Sequence, residues 1–343
     1  MRKLRVLALM HDYLVPPEDV TGIDVTTAKW KMEYDVVHTL QTMGHDVRPL
    51  GLGGDLGVIT DAVKTWDPHI VFNLMEDFEG IAMFDQNVVS HLELLRVPYT
   101  GCNPRGLMLA RDKALSKTLL SYHRLPVPEF AVFRVGRAIQ RPKRLQFPLI
   151  VKSLTQESSI GISQASVVED DAKLLERVRF IHRKVGTDAI AERYVEGREL
   201  YVGVIGNLKL QVFPVWEMKF EKMPEQSYRI ATERVKWNDA YQKKHGITTE
   251  AAADLPEELA KRVTQICRRV YRTLDMSGYA RIDLRLDKEG RVYVLEANPN
   301  PQLAYGEDFA ESAHHAGVEY DALLQKILTT GLSWRPERQG LTQ

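Results

Sequence analysis

Residues Lys3 to Met10 form an apolar run of the length of a buried strand, and Thr26 to Met43 carries a helical repeat that ends at Gly44. A second strand reads from Asp46 to Leu50, which predicts the start of a parallel βαβ arrangement. A helix over Gly57 to Trp66, a strand His69 to Leu74, a helix across Gln86 to Leu95 and a short strand Val97 to Thr100 extend the alternation into a small doubly wound domain. Ligands of such sheets lie beyond the carboxyl ends of the strands, so His11 to Tyr13 and Asn73 to Asp77 are candidate substrate contacts. The run GLGGDLG at 51–57 lacks both the GxGxxG spacing and a GK[ST] ending and reads as a plain loop.

The pattern then changes. Prolines at 126, 128, 142 and 148 separate a predicted helix, Asp112 to Arg124, from a strand, Phe147 to Lys152. A small-residue loop, ESSIGIS, leads to a helix from Asp170 to Val185 with Leu174, Leu175, Val178, Ile181 and Val185 at helical spacing. Strand-like runs Glu199 to Ile205 and Leu208 to Val215 flank a candidate hairpin turn at Gly206 and Asn207. Residues 217–253 are polar and irregular, as a lid or flexible loop would be. Asp254 is expected to cap a helix with the apolar stripe Leu259, Val263, Ile266, Val270 and Leu274.

The chemistry concentrates in the next hairpin, YARIDLRL at 279–286 and RVYVLEAN at 291–298, joined by DKEG. Strand alternation sends Ala280, Ile282, Leu284 and Leu286 one way and Tyr279, Arg281, Asp283 and Arg285 the other. If Leu286 pairs with Arg291, Arg281 lies opposite Glu296, with Asp283 diagonal to it and Asn298 on the same face. Two carboxylates and a carboxamide beside an arginine suit magnesium, which takes hard oxygen donors together with phosphate and water. The competing reading is an Arg281–Glu296 ion pair on a solvated face, and a one-residue slip would separate the groups altogether. Lys152 at the end of FPLIVK, Lys113 at a helix start and Lys236 in the polar loop could reach an anion, and SSIG at 158–161 could fold over phosphates, although lysines are usually solvated surface groups. Glu192 and Glu199 bracket a linker between strands, where they could meet a ribose or sit in a solvated turn.

Composition narrows the classes. The 343 residues hold 46 basic and 46 acidic side chains and are 44% hydrophobic, an ordinary globular balance with no net charge that argues for nucleic acid or an acidic membrane. The two cysteines, Cys102 and Cys267, have no zinc-like or redox-motif spacing and read as buried thiols. His11 and Asp12 interrupt the N-terminal apolar run too early for a signal peptide, and no run approaches the ~20 residues of a membrane span, so a cytoplasmic location is expected. His314 and His315 lack a spaced partner and read as helix-surface residues.

In order and spacing, PYTGC with RDKALSK, FPLIVKS with SSIGIS, IAERYVEGREL, ERVKW, and ARIDLRL with VYVLEANPNP resemble the ATP-grasp superfamily, in particular D-alanine:D-alanine ligase-like carboxylate–amine ligases. The resemblance runs from about Tyr99 to Asn300. It implies an α/β plus α+β architecture: a doubly wound N-terminal substrate domain (1–103), a central subdomain (104–190) and a catalytic subdomain (191–330) that clamp ATP, and a tail (331–343). Lys113, Lys152, Ser159 and Gly161 would lie at the phosphates, Glu192, Tyr194 and Val195 at the adenine, and Glu199 at the ribose. Lys236 would reach the γ-phosphate and, with Arg281 and Ser158, complete the catalytic set. Asp283, Glu296 and Asn298 would hold two magnesium ions, with manganese as a substitute. Arg281 would steady the oxyanion formed when an amine captures an acyl phosphate. The substrates implied are a small-molecule carboxylate and an amine, such as amino acids or a peptide. The family commonly dimerises through the N-terminal domain, which puts the 84–95 helix at a candidate interface.

The departures are as specific. MHDYLVPPED stands where those ligases carry GGxSxE, NLMEDFEG where they carry HGxxGEDG, and PNPQLA where they carry a PGMT stretch; Glu157 replaces a phosphate-loop glycine. The nucleotide machinery is retained while both amino-acid pockets are rebuilt, so D-alanyl-D-alanine synthesis is not expected. Alternatives are acyl-phosphate chemistry with another nucleophile, and a silent nucleotide-binding module, against which the retained Arg281 argues.

Overall fold

The computed structural model describes residues 3–156 and 159–336. Its first sheet is parallel, in the order β2-β1-β3, with β1 at Arg5–His11, β2 at Asp46–Leu52 and β3 at Ile70–Asn73. Val6 to Met10 are 0–2% exposed, as expected of a central parallel strand covered on both faces. Helices α1 (Lys31–Thr42), α2 (Gly57–Trp66) and α3 (Asp85–Leu94) supply the cover. Helix α1 starts five residues later than the repeat suggests, because Asp24 caps a separate 3-10 turn at Val25–Thr27 by accepting the Thr26 N–H. Val97 to Thr100 contribute one parallel bridge, Val71 to Tyr99, in place of a full strand.

Helices α4 (Pro104–Arg111) and α5 (Lys113–Tyr122) meet at Asp112, whose carboxylate caps α5 by accepting from Ala114 and Leu115. Helix α4 went unread in the sequence: it is short and begins with Asn103 as cap and Pro104 in the first turn. An antiparallel sheet follows in the order β4-β7-β5-β6, from Phe130–Phe133, Ala189–Arg193, Leu149–Ser153 and Val167–Val168. Helix α6 (Asp171–Phe180), capped by Asp170, continues into a wider turn at Ile181–Val185. Its Leu174, Val178 and Ile181 pack on Leu149, Val151 and Ala191.

The largest sheet runs β11-β10-β8-β12-β13, with β9 on the end of β8. Its strands are β8 (Arg198–Ile205), β9 (Gln211–Val212), β10 (Trp216–Phe220), β11 (Ile247–Ala251), β12 (Tyr279–Leu286) and β13 (Val292–Pro299). The stretch expected to be an irregular lid therefore holds two strands, plus α7 (Glu233–Trp237) and α8 (Asp239–His245). Helix α9 (Glu257–Thr273) covers the apolar face, with Val263, Ile266 and Val270 in one core with Ala280, Ile282 and Leu284. Asp254 does not cap it; that carboxylate accepts from Arg198, and Pro256 occupies the cap position. Helices α10 (Asp308–His315) and α11 (Tyr320–Ser333) return to the first sheet, so that Leu324, Ile327 and Phe309 share a core with Val6, Val36 and Phe72.

The β12–β13 register corrects the sequence expectation twice. Leu286 pairs with Val292, not Arg291, because Asp287 holds Arg291 in the turn through its N–H and guanidinium. That one-residue slip alone would send Glu296 and Asn298 to the core. A bulge at Leu295 adds a second slip, so Asp283 faces Glu296 directly and Arg281 faces Asn298. The four groups share one face after all.

The first and third sheets also touch through backbone. Gly278 has φ +71°, and a Cβ there would lie 2.2 Å from the Gly101 carbonyl oxygen. Gly290 has φ +75° with open space around it. Gly290→Ala is expected to cost about 1–2 kcal/mol, the left-handed penalty alone. Gly278→Ala should cost about 2 kcal/mol or more beyond that, read as a clearly larger drop in melting temperature.

Candidate active site

A cleft of about 780 Å³, part of it open to solvent, lies between the second and third sheets. One wall is β5 and β7, with Lys152 and Glu192; the facing wall is β12 and β13, with Asp283 and Glu296. Tyr194 and Val195 line it from the link between β7 and β8, Glu199 from β8, Lys113 from α5 and Lys236 from α7. Ser159 lies at the roof. Ten of the residues singled out in the sequence thus meet in one space. Gly161, Arg281 and Asn298 are outside its lining, and Ser158 and Glu157 fall outside the described residues.

The charges in this cleft are arranged against their own desolvation. Glu192 is fully buried, with Lys117 and Lys152 each 3.4 Å from one of its oxygens. Burial alone would raise the Glu192 carboxyl, yet the two lysines hold it below its usual range. Burial pulls the Lys117 ammonium down, whereas at Lys152 the combined field of Glu192, Glu296 and Glu199 outweighs burial and holds it up. Across the cleft, burial raises Asp283, opposed by Arg281 and reinforced by Glu296. Glu296 moves the other way, to about 2: burial works against its charge, but Lys113, Lys152, Lys236 and Lys117 prevail.

The family profile described as D-ala D-ala ligase C-terminus matches residues 119–329, most of this two-walled unit. The chain belongs to that family. It is an ATP-grasp ligase of the class that forms C–N bonds. An uncharacterized protein, y4sG of Sinorhizobium fredii, is 33% identical over 300 residues, 85% of each chain. The D-alanine–D-alanine ligase of Desulforudis audaxviator is 28% identical over 297 residues, 85% of this chain and 90% of that protein. The crystal structure of D-alanine–D-alanine ligase from Bacillus anthracis complexed with ATP superposes with a TM-score of 0.73 at 22% identity, covering 97% of this chain and 98% of that one, a likeness of fold.

In this ATP-grasp frame the roof is a seam between the two walls. Ser159, at φ +60°, donates its hydroxyl to Ala231 O at 2.7 Å, and Glu233 N–H reaches Ile162 O at 3.1 Å. The Gln164 carboxamide donates to Tyr228 O at 2.9 Å and accepts from Tyr228 N at 2.8 Å. Gly161 gives its N–H to Glu233 and its carbonyl to Arg177. Its amide, expected at a phosphate, is already engaged.

The donor set suits a hard cation. Asp283 and Glu296 face each other across the ladder, and the Asn298 amide nitrogen is buried without a hydrogen-bond partner. Among the described residues no three His, Cys, Asp or Glu side chains gather as a metal cluster. Two carboxylates and a carboxamide fit magnesium, which fills its remaining positions with phosphate and water, better than zinc. Arg281 holds Asp283 in a two-pronged pair at 2.8 and 3.0 Å, stands 3.8 Å from Asp308, and lies 4.7 Å over the Tyr201 ring.

Two site residues were passed over in the sequence. Lys117 sits one helical turn after Lys113 and donates to Leu295 O at 2.5 Å, besides pairing with Glu192. The i,i+4 spacing in RDKALSK was the available signal. Arg285, two residues past Asp283 on the same face, bonds Glu199 at 2.8 Å and the carbonyls of Gly197 and Arg229. Glu199 also accepts from Tyr201 OH at 2.9 Å, so both its oxygens are oriented by protein groups.

Lys117→Met leaves Glu192 buried with one cation fewer and is expected to cost roughly 3–5 kcal/mol in urea unfolding. Glu296 has its carboxyl at about 2 in the fold, so its contribution is complete above the unfolded value of ~4.3 and is lost as pH falls towards 2. In metal-free buffer, melting temperatures of Glu296→Gln should accordingly fall less steeply than wild type across that window.

Proposed function

We propose that the protein acts in the cytoplasm as an ATP- and magnesium-dependent ligase that joins a small-molecule carboxylate to an amine. The observation that carries the reading is the convergence of Lys113, Lys152, Lys236, Asp283 and Glu296 in one cleft, with Arg281 bound to Asp283 at its edge. The substrate carboxylate attacks the γ-phosphorus of ATP, ADP leaves, and an acyl phosphate forms. The amine then adds to the acyl carbon and phosphate departs, giving an amide. Lys113, Lys152 and Lys236 neutralise phosphoryl charge, with Ser158, Ser159 and Gly161 in the loop above it. Tyr194 and Val195 receive the adenine beside Glu192, and Glu199 receives the ribose. Asp283, Glu296 and Asn298 would hold magnesium, which would supply neutralisation of phosphoryl charge. Arg281 stabilises the oxyanion at the acyl carbon. The division at 103, 190 and 330 follows the same reading, as does dimer contact through α3, on which Leu94 is 82% exposed.

The product we infer is not D-alanyl-D-alanine. Both stretches that meet amino acids in those ligases are replaced here, at 10–19 and 73–80, as is the run after Asn298.

The test is ADP release with magnesium-ATP across paired amino acids, amines and carboxylates, with products weighed by mass spectrometry. A matched pair should give ADP and a product lighter than the sum of the two substrates by one water. With that pair, Arg281→Ala is expected to lower kcat about 10²–10³-fold while leaving the KM for ATP near wild type. ADP release from no pair would defeat the ligase reading, and an undiminished kcat in the variant would remove Arg281 from its role.

A further inference from the structure

Resting on that ligase reading, we infer that one substrate is a basic amino acid, whose cationic side chain enters an acidic pocket at the carboxyl ends of β1 and β3.

Apart from Glu33, the acidic residues of the pocket come from segments that depart from the related ligases. β1 ends on His11 and is followed by Asp12 and Tyr13; beyond β3 come Glu76 and Asp77; the first turn of α1 supplies Glu33. Tyr13 lies within the field of all four carboxylates, Asp77, Glu76, Asp12 and Glu33. His11 is the nearby base, 3.8 Å from Asp77, and burial pulls its imidazole below the usual range, so it is a poor counter-ion. No Lys or Arg among the described residues makes an ion pair with Asp12, Glu33 or Asp77.

Glu33 is the decisive residue. It is 1% exposed, and neither of its carboxylate oxygens has a hydrogen-bond partner in any other residue. A buried, unpaired carboxylate is costly, and it persists where something outside the fold completes it. Burial pushes its carboxyl up to about 7, against the pull of its own backbone N–H, and Glu76 pushes it further. A cation arriving beside it would reverse that shift.

A donor for the other end of the ligand is also present. Glu76 and Asn300 line a small cleft of about 190 Å³, part of it open to solvent, with Met32, Asn73, Tyr279 and Pro301. Asn300 Oδ1 accepts the Cys102 N–H at 2.8 Å, which fixes the amide, and its buried Nδ2 has no partner. The unpartnered amide donor of Asn300 and the unpaired buried carboxylate of Glu33 together suit a molecule with a carboxyl or carbonyl at one end and a cation at the other. Tyr279 precedes Arg281 by two residues on the same face of β12, ~7 Å along the strand, which a lysine-length side chain spans. A reacting carbon at Arg281 therefore places such a side chain in the pocket. Tyr13 stacks on His11 at 5.1 Å and is 69% exposed, leaving an aromatic face at the mouth for a cation.

The experiment is calorimetric titration of the full chain, loaded with magnesium and AMP-PNP, by both enantiomers of lysine, ornithine and arginine, and by alanine and glutamate. One basic amino acid is expected to bind roughly 10- to 100-fold more tightly than alanine, with glutamate weakest. Glu33→Gln should erase most of that preference while melting at or above the wild-type temperature, and Asp77→Asn should reduce it in part. Alanine or glutamate binding as tightly as every basic amino acid, or an unchanged preference in a folded Glu33→Gln protein, overturns the inference. ADP release separates the two readings. Release with neutral amino acids and no basic preference leaves the ligase reading standing and defeats this one. Selective, Glu33-dependent binding of a basic amino acid without ADP release from any pair does the reverse.

Discussion

The site depends on one residue that the ladder cannot accommodate. Leu295 is the extra residue of the β12–β13 bulge, and it has two effects. It turns Glu296 and Asn298 to the face of Arg281 and Asp283, which the turn at Asp287 would otherwise deny them. It also frees the Leu295 carbonyl from pairing, and Lys117 takes it. The same ammonium reaches Glu192 on the facing sheet. A backbone irregularity on one wall is thereby tied to a buried charge on the other, and the width of the cleft is set by side chains that cannot be exposed without loss.

The formal net charge of zero conceals a division of sign. Four lysines act on Glu296 from around the cleft side of β13. Four carboxylates act on Tyr13 at the ends of β1 and β3. Arg281 stands between the two regions, committed to Asp283 and within reach of Asp308. Chemistry that consumes a polyanion on one side and a cation-bearing molecule on the other would be served by such a gradient. Whole-chain charge, a sum, carries no trace of it.

The architecture and most of the cleft's lining were legible in the sequence because they rest on strong local signals: the apolar run of β1, the stripe of α9, the alternation of YARIDLRL. That Arg281, Asp283, Glu296 and Asn298 share one face was read correctly through a wrong register. Two one-residue displacements, at Arg291 and Leu295, cancel in parity, and nothing local announces a bulge. The stretch 217–253 was misread because Glu217 and Lys219 alternate with Trp216, Met218 and Phe220, and the charges drew attention from the strand. Asp254 looked like a cap but answers to Arg198, a partner 56 residues away. Glu33 is visible only in three dimensions, and Lys117 left no more than its four-residue spacing from Lys113: each is an ordinary charged helix residue in sequence, and burial makes it exceptional.

The Gln164–Tyr228 contact gives the roof a particular mechanical character. A single side-chain carboxamide there plays the part of a neighbouring strand, giving and taking one hydrogen bond with the same backbone residue. Such a latch is directional and short-ranged: it holds at full strength in register and at none a few ångströms away. Opening the roof therefore resembles unfastening a clasp more than peeling apart a hydrophobic seam. Gln164 shares that seam with the Ser159–Ala231 and Ile162–Glu233 bonds, so the roof is fastened at a few discrete points above the walls.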